Sequence, residues 1–512
     1  MPISPIGQIN TTALTVPDVY VQIVPPQLLI NGIPSNIGGL VGVATWGPVN
    51  QPVITGSPAE WASIFGIPTT RTHDMSTHAM IAFEGRASAI KAVRVTNGTE
   101  TFATTTILAT CLNVASKHKG SGGNGTKIVI NKGSKLGTVQ VRIQRATMLP
   151  EIFDNVGLGL TDNALWLAIE DAIMLGVPNG RGPSQIVTCD AGAGTAAPAY
   201  GTAYSLAGGS DGDGVITEAI LLGTDVNPRT GMYALRGQDV SVLNIADLTS
   251  STAWTTMQAF GQIEGCEVVN AFAKSTSIAD ARAAKDAAGI DDWVMKFMHG
   301  DWVYWNDTYS GMSRRLVSPQ AYMFGKLLAL APQHSPLNKQ MNSVVATERS
   351  IAGIPYTEGD LQELRLGGID VIANPCPGGR YFGSRIGCNA SSNAATHGDN
   401  YTRMTHYISK TLNRAMGIYI GELQSTDPND DLRRRAKATL DAFLTALQEQ
   451  KQIDAFQVSL DLTNNPANRI ALGHLEATVR VRYLSVVEFF IINLEGGQTV
   501  TVTRRDTQSL AA

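Results

Sequence analysis

Alternating apolar and polar residues mark a β-prone segment near each end of the chain. The first is residues 15–24, and the second, residues 498–503, follows the apolar run 485–494. Successive side chains of a strand point to opposite faces, so this period predicts two half-buried strands. An isolated strand is unstable in water and must pair with the edge of a sheet. Each segment is therefore either an ordinary edge strand of its own domain or a strand added to a neighbouring subunit.

The pattern near the start predicts an α/β unit. Residues 37–46 are an apolar run typical of a buried strand, and residues 90–95 are a second one. Helices are predicted between them over residues 58–66 and 75–88, the first with Ser57 as N-cap and Pro58 at its first position. The order strand, helix, helix, strand indicates the α/β class.

The pattern changes after Asn97. Residues 99–205 are rich in Thr, Gly and Val, contain one predicted helix at 161–175, and lead into a Gly-rich stretch at 207–214. Strands and helices alternate again directly afterwards. We therefore predict that a separate domain is inserted here. The later predicted elements are strands at 240–245 and within 293–305, and helices at 254–264 and 278–288.

A third region begins near residue 366. It has a predicted strand at 369–373, helices at 400–420 and 428–451, and strands near 455–462 and 472–494. Asp427 is predicted to cap the long helix and Pro428 to open it. Apolar residues recur along this helix at spacings of three and four and predict a core stripe. Three basic residues fall away from that stripe and are free to meet solvent or a partner: Arg433, Arg434 and Lys437.

These predictions give a mixed α/β (α+β) chain of several domains. The predicted parts are an N-terminal arm, 1–24; a middle α/β domain, 25–98 and 215–365; an inserted β-rich outer domain, 99–214; a C-terminal domain, 366–494; and a C-terminal arm, 495–512.

Composition and charge argue against several classes of function. Of 512 residues, 43% are hydrophobic and only 16% are charged, against a usual charged fraction of about 25%. The net charge of −4 argues against a dedicated nucleic-acid binder. The five cysteines lack CxxC spacing, which favours reduced thiols in a protein made in a cytoplasm. We find neither a signal-peptide pattern nor an apolar stretch approaching the ~20 residues that cross a bilayer.

Sequence motifs for chemistry are weak. Residues 208–212 match G-x-S-x-G, the nucleophile turn of α/β hydrolases, with Ser210 as nucleophile, but no oxyanion loop or partner His is evident. A tight linker is the favoured interpretation, and a hydrolase stays the rival from another class. The Gly-rich residues 120–127 lack the Gly-Lys-Ser/Thr order of a phosphate loop, and the eight histidines lack paired metal spacing. No catalytic residue, cofactor or metal ligand is predicted.

Several segments follow one another in a distinctive order: 17–21, 39–44, 47–53, 61–66, 206–212, 315–319 with Gly325, and 465–466 with 471–473. Taken together, they resemble the contractile tail sheath proteins of contractile-tailed phages and R-type pyocins. Two departures from the family pattern occur: Asp18 stands where Gly is usual, and residues 337–342 lack the usual aromatic and small residues. The resemblance spans about residues 16–494.

The resemblance implies a structural protein without catalytic residues. Its subunits would stack as hexameric rings in a helical sheath around an inner tail tube protein, with baseplate and tail terminator proteins as further partners. Contraction would drive the tube through the target envelope for genome ejection. Neither nucleic-acid binding nor membrane insertion is implied. The expected location is a virion tail assembled in the host bacterial cytoplasm, and the alternative within the class is a tailocin or another injection-system sheath.

The same resemblance implies the interface residues. The C-terminal domain would face the tube, which makes Arg433, Arg434 and Lys437 candidate tube-facing residues. The inserted domain would project outward, and a passive binding module built on residues 99–205 is a further possibility. The terminal arms would exchange strands between subunits through Val19, Tyr20, Val21, Gln22, Ile23 and Val24, and through Thr499, Val500, Thr501, Val502 and Thr503.

Overall fold

A seven-stranded sheet forms the centre of the computed structural model, which describes residues 3–4, 21–22, 30, 32–178, 180–311, 314–492 and 494. Parallel pairing runs through the sheet except at its last strand, which is antiparallel. The spatial order is Ile369–Asp370, Met295–Met298, Glu267–Ala271, Val242–Ile245, Ile37–Gly42, Ala89–Arg94 and Val53–Thr55.

Helices cover both faces of this sheet, so its inner strands are buried on both sides, as is usual for parallel sheets. On one face lie Pro58–Ile64, Met75–Glu84 and Pro319–Ala329; on the other lie Trp254–Glu264, Ile278–Ala287 and Glu358–Leu366.

The predicted cap of the helix Pro58–Ile64 is confirmed. The Ser57 hydroxyl accepts a hydrogen bond from the Glu60 amide at 3.2 Å, and Pro58 is the first residue of the helix.

The inserted region has a hydrophobic core of its own. That core is made only of residues between Ala103 and Leu206, with Phe153 and Trp166 fully buried in it. One sheet has four strands and the other three, and the helix Asp162–Met174 packs against them. The strands in spatial order are Glu151–Val156, Val139–Gln144, Lys127–Lys132 and Ala203–Ser205, and then Val187–Ala191, Leu112–Ser116 and Thr104–Ile107.

A buried charged joint connects the inserted region to the middle of the chain. The Asp211 carboxylate, on the returning connection, accepts hydrogen bonds from the Arg71 guanidinium at 2.7 Å and from the Ser121 amide at 2.5 Å. The Arg94 guanidinium donates to the Asp211 carbonyl at 3.2 Å and to the Lys119 carbonyl at 2.6 Å. Because these donors come from both units, the joint fixes the inserted region in one orientation.

The C-terminal region packs two helices, Asp399–Met416 and Asp431–Glu449, against a small antiparallel sheet of Ile453–Ser459 and Thr478–Tyr483. Their shared core includes Met404, Ile408, Leu440, Phe443, Leu444, Leu447, Ile453 and Val458.

Two predictions in this region were wrong in detail. The long helix begins at Asp431 with Asp430 as its cap, because the Asp427 carboxylate is engaged by the Asn429 amide at 2.8 Å in the preceding turn. The predicted strand at 369–373 divides in two. Ile369–Asp370 joins the central sheet, beyond the predicted boundary at 365, and Ile372–Ala373 pairs with Gly383–Ser384.

None of the described helices is long and apolar enough to cross a membrane.

Smaller elements complete the described chain. Ile3–Ser4 pairs in parallel with Val21–Gln22. The others are a three-stranded sheet of Arg315–Val317, Val303–Trp305 and Val344–Thr347, and the short helices Leu108–Cys111, Glu218–Leu222, Glu348–Ala352 and Ala467–Ala471 with the 3-10 turns Ser121–Gly123, Gly231–Leu235, Ser251–Ala253 and Gly417–Tyr419.

Replacing Asp211 should loosen the charged joint. In Asp211→Asn the buried Arg71 loses a charged acceptor. We expect the free energy of unfolding to fall by about 1–3 kcal/mol, which is the usual effect of removing a buried hydrogen bond to a charged group. The measurement is the rate of limited proteolysis near residues 97–101 and 207–214, which should rise. Asp213→Asn is the control, because that carboxylate also contacts Arg71 but is 41% exposed. Equal cleavage of the two variants would contradict the prediction.

Candidate subunit interface

The two-stranded sheet of the C-terminal region has two open edges. Ile453–Ser459 pairs with Thr478–Tyr483 from Ser459 opposite Thr478 to Ile453 opposite Tyr483. Within the described residues, neither strand has a second neighbour. The outward backbone N–H and C=O groups of each strand are therefore available to another strand.

One face of this sheet is stabilised by packing, so it can present its edges. Ile453 and Val458 are buried against the helix Asp431–Glu449 and the helix Asp399–Met416. A two-stranded ribbon alone is marginal in water, and support from a helix is what makes it persist. The sheet is thus held in place by its helices while both edges stay open.

An exposed apolar segment follows directly after the second strand. The run 485–494 was predicted to continue a strand, but its described residues form none, and no other described strand pairs with them. A contiguous apolar surface of this kind is typical of a protein–protein interface. The exposed large side chains are Val487, Phe489, Phe490, Ile491, Ile492 and Leu494.

Glu488 anchors this segment to the rest of the protein. Its carboxylate accepts hydrogen bonds from Arg365 at 2.7 Å and contacts His397 Nε2 at 3.0 Å. Burial alone would raise the pKa of Glu488, but the hydrogen bond with His397 and the charge of Arg365 outweigh burial and lower it. The anchor therefore holds above the ordinary carboxylate range and weakens in acid.

The anchored segment forms one wall of a groove of about 1040 Å³. Phe489 and Phe490 line it from the segment, and Leu361 and Arg365 line it from the helix Glu358–Leu366. The groove is open and mostly apolar, and charged side chains such as Lys339 and Arg385 are also among those that line it. A peptide segment that covers the exposed phenylalanines would also cover this groove.

Most residues predicted to exchange strands lie outside the described residues: Val19, Tyr20, Ile23, Val24 and Thr499, Val500, Thr501, Val502 and Thr503. Val21 and Gln22 are described and pair with Ile3 and Ser4 of the same chain. Ile30 packs against the C-terminal core, and the Ile33 amide donates to the Thr411 hydroxyl at 3.3 Å. The N-terminal part of the chain therefore reaches the main body beside the C-terminal helices.

Arg433 lies in a different place from the one predicted. It is only 3% exposed, and its guanidinium donates to the Ser425 carbonyl at 2.6 Å and to the Asp427 carbonyl. The turn before the helix folds over this side chain, which the helical pattern alone does not reveal. Arg433 stabilises the start of the helix and presents no charge at the surface of this chain.

The other predicted basic residues lie nearer the surface. Arg434 is 64% exposed and pairs with Asp431 at 2.9 Å, and Lys437 is half-buried. Other arginines of the C-terminal region also have acidic partners within the chain, which offset their charges: Arg435 with Asp431 and Glu422, Arg469 with Glu476, and Arg482 with Asp454.

Ser210 lies in a structural connection. It forms a backbone bridge with Thr101, whose amide donates to the Ser210 carbonyl at 3.1 Å. The adjacent Asp211 is engaged by Arg71 and Ser121, as described above. The G-x-S-x-G match thus falls on the return from the inserted region to the middle of the chain. Among the described residues, no cluster of three or more His, Cys, Asp or Glu side chains is arranged to hold a metal ion.

Comparison with known proteins finds a family model that matches the C-terminal region and solved structures that share the overall fold. Residues 391–495 match the family model of the phage tail sheath C-terminal domain. The chain is also similar to the sheath tail proteins of Desulfitobacterium hafniense (15% identity, TM-score 0.57, 87% of this chain and 94% of that one) and Listeria innocua (12%, 0.59, 88% and 95%). No curated protein sequence matches the chain significantly.

Assembled particles contain the same fold. The chain is similar to the sheath of the PVC extracellular contractile injection system in the contracted state (11% identity, TM-score 0.54, 95% of this chain and 98% of that one). It is likewise similar to the helical sheath of the anti-feeding prophage in the contracted state (12%, 0.53, 94% and 99%). The chain has the fold of contractile sheath proteins and carries a tail sheath C-terminal domain, so the resemblance seen in the sequence is confirmed.

The exposed phenylalanines should matter for association and hardly for folding. Phe490 is 83% exposed, so Phe490→Ser should change the stability of the dilute chain by less than about 0.5 kcal/mol. Self-association should weaken, since burying one Phe contributes about 1.5–3 kcal/mol. Thermal unfolding and sedimentation velocity measure the two effects.

The matched control is Phe443→Ser, which removes the same group from the C-terminal core, where Phe443 is 5% exposed. It should destabilise the chain by about 3–5 kcal/mol. If Phe490→Ser unfolds the chain to a similar extent, the segment is part of the core and the interpretation is wrong.

Proposed function

We propose that this protein is the structural subunit of a contractile tail sheath, in which it polymerises as stacked hexameric rings around an inner tube. The observation that carries the proposal is the tail sheath C-terminal domain, residues 391–495, within a chain that has the sheath fold throughout. Its two-stranded sheet ends in open edges and leads into an exposed apolar segment, as expected of a subunit that is completed by its neighbours.

Strand exchange is the proposed link between subunits. The open edges of Ile453–Ser459 and Thr478–Tyr483 would receive an N-terminal strand, residues 19–24, and a C-terminal strand, residues 499–503, from neighbouring copies. Backbone hydrogen bonds along both edges would connect subunits and persist when the subunits rotate as rigid bodies. Because each contact is heterologous, the array stays open at its ends and can extend along a tail.

The tube-facing surface is proposed on the exposed side of the helix Asp431–Glu449. Arg434 and Lys437 remain its candidate residues, whereas Arg433 supports them from within. An acidic tube surface would compete with Asp431 for the Arg434 guanidinium. Such exposed pairs contribute little free energy individually and act mainly on association rate and specificity.

The remaining assignments follow the same architecture. The middle unit would carry the contraction as a rigid body, and the inserted region, with its separate core, would project outward. The arms would be residues 1–24 and 495–512, and the inserted domain residues 99–214. Baseplate and tail terminator proteins are the proposed partners at the ends of the sheath, and the particle is a phage tail or another contractile injection system assembled in bacterial cytoplasm. We propose no catalytic activity.

Negative-stain electron microscopy of the purified chain at high concentration tests the proposed function. Hollow, cross-striated tubes are expected, because open strand edges and exposed apolar surface favour heterologous self-association. The dilute chain should be monomeric in the same buffer. If concentrated chain gives only monomers or closed rings, both alone and with its inner tube added as template, the sheath proposal is wrong.

Deleting residues 1–24 should abolish tube formation while leaving the folded body intact, because the deletion removes the strand that would be donated to a neighbour. The measurements are microscopy and far-ultraviolet circular dichroism. Deleting residues 504–512 is the control, since it trims the other end of the chain beyond its predicted strand. Normal tubes from the first deletion would remove the N-terminal arm from the strand-exchange proposal.

Reversing charge at the proposed tube surface should weaken tube binding. We expect Arg434→Glu with Lys437→Glu to reduce co-sedimentation with the assembled inner tube and to flatten its dependence on salt. Lys274→Glu with Arg282→Glu makes the same charge change on exposed residues elsewhere. The tube assignment fails if the two double variants bind equally well.

A further inference from the structure

A row of buried charges crosses three neighbouring strands of the central sheet. Glu267, Lys296 and Asp370 lie on adjacent strands, and each is 0% exposed. The Lys296 ammonium contacts the Asp370 carboxylate at 3.0 Å and donates to the Cys388 carbonyl at 3.0 Å. Charges removed from water to this extent are tolerated only when they are paired and hydrogen-bonded.

The first turn of the C-terminal helix completes the row. Asp399 opens the helix Asp399–Met416, is 0% exposed, and contacts Lys296 at 2.6 Å. One turn later, the buried Arg403 donates to the Leu330 carbonyl at 2.7 Å and to the Ala331 carbonyl at 3.2 Å. The helix is thus fastened to the central sheet through charged groups. Because the helix Asp399–Met416 belongs to the C-terminal core, this charged cluster is the joint between the C-terminal region and the central sheet.

One detail of the cluster requires a proton. Both carboxyl oxygens of Glu267 and Oδ1 of Asp399 are buried without a hydrogen-bond donor, yet the two carboxyl groups are in hydrogen-bonding contact with each other. Two ionised carboxylates in contact would repel, and neither can donate. A single proton between them turns the contact into a hydrogen bond.

The charge balance leads to the same conclusion. With that proton in place, two cations, Lys296 and Arg403, face two net negative charges, one on Asp370 and one shared by the Glu267–Asp399 pair. Without it, the cluster holds an uncompensated negative charge on side chains that have no exposed surface. An unpaired buried charge is strongly destabilising.

We propose that Glu267 and Asp399 share one proton, and that this proton fastens the C-terminal helix to the central sheet, so that the joint loosens as pH rises. The joint is then a pH-sensitive device built into the fold. Its role in an assembled particle rests on the proposed function, because the C-terminal region would carry the connections between subunits. The proton itself belongs to the single chain.

The electrostatics of each group support this placement. Burial, followed by the negative charge of Asp399, raises the pKa of Glu267 well above its ordinary value, although Lys296 and Arg403 oppose the shift. Burial also raises the pKa of Asp399. Burial alone would raise the pKa of Asp370, but the charge of Lys296 and the hydrogen bond from Ser384 outweigh it and lower it. The proton therefore resides on the Glu267–Asp399 pair.

The sign of the pH effect follows from the raised pKa. The unfolded or undocked chain ionises near the ordinary carboxyl pKa of about 4.3, whereas the docked pair keeps its proton to higher pH. The contribution to docking is complete below that ordinary value and is lost as pH rises through the docked pKa. In this window the ratio of docked to undocked helix falls by up to about tenfold per pH unit.

Other titratable groups that face the cluster do not explain such a window. Burial lowers the pKa of His406 to about 3 and raises those of Cys266 and Cys388 to about 12, so these groups stay neutral across it. Burial lowers the pKa of Lys410, on the same helix, so loss of its charge would strengthen docking as pH rises and cannot cause the expected fall. A variant at Glu267 tests whether the carboxyl pair causes it.

Hydrogen exchange of the full-length, dilute chain between about pH 5 and pH 9 tests the proposal. After correction for the intrinsic rate, protection of peptides from 399–416 should fall with pH, by up to about tenfold per unit. Protection of the helix Asp162–Met174, in the separate core of the inserted region, should stay constant and serves as the internal reference. Glu267→Gln keeps a hydrogen-bond donor without the titration, so its 399–416 protection should be flat with pH and higher than wild type in alkali.

Glu363→Gln, at an exposed position in a neighbouring helix, is the matched control and should retain the wild-type profile. Protection of 399–416 that does not change with pH in the wild-type chain overturns the proposal, even if Glu267→Gln fails to fold. If protection still falls with pH in Glu267→Gln, another group is responsible, and the proposal is also overturned. Because the chain is dilute, none of these results depends on whether it forms tubes.

Discussion

Open strand edges are the constraint on which this structure depends. The central sheet ends in strands of two and three residues, Ile369–Asp370 and Val53–Thr55, so little unpaired backbone remains at its borders. The C-terminal sheet is the opposite case, since its strands of seven and six residues both lie at an edge. Backbone groups this regular invite pairing with another chain. The central sheet therefore leaves little backbone unpaired, whereas the C-terminal sheet leaves much of its backbone unpaired.

Buried charges connect the outer regions of the chain to the central sheet. The joints at Asp211 and Lys296 each connect one region to the central sheet through charged hydrogen bonds with fixed geometry. Apolar surfaces can slide and repack, whereas a paired buried charge tolerates only one arrangement. A body that transmits force between neighbours benefits from joints of this kind. The inserted region, which has a core of its own, contributes the Ser121 amide and the Lys119 carbonyl to the joint at Asp211.

Periodicity and caps made much of the fold predictable. The helix at Trp254 and the cap at Ser57 were found because both depend on local pattern. Local pattern also explains the misses: Asp427, Asp430 and Asp431 are all suitable caps, and only the course of the preceding turn selects Asp430. Arg433 was misplaced because the carbonyls that bury it belong to that turn. The charged row at Glu267 unites residues distant in sequence, which no local pattern reveals.

The exposed segment after Tyr483 shows why the isolated chain is an incomplete unit. Its apolar side chains have the composition of a core strand, and in water each costs free energy that burial would recover. Anchoring by Glu488 keeps the segment beside the groove and close to the open sheet edges. An incoming strand can therefore pair with an edge while its neighbouring residues cover the phenylalanines. Backbone pairing and apolar burial at one site reinforce each other, which favours assembly of many copies over stability of one.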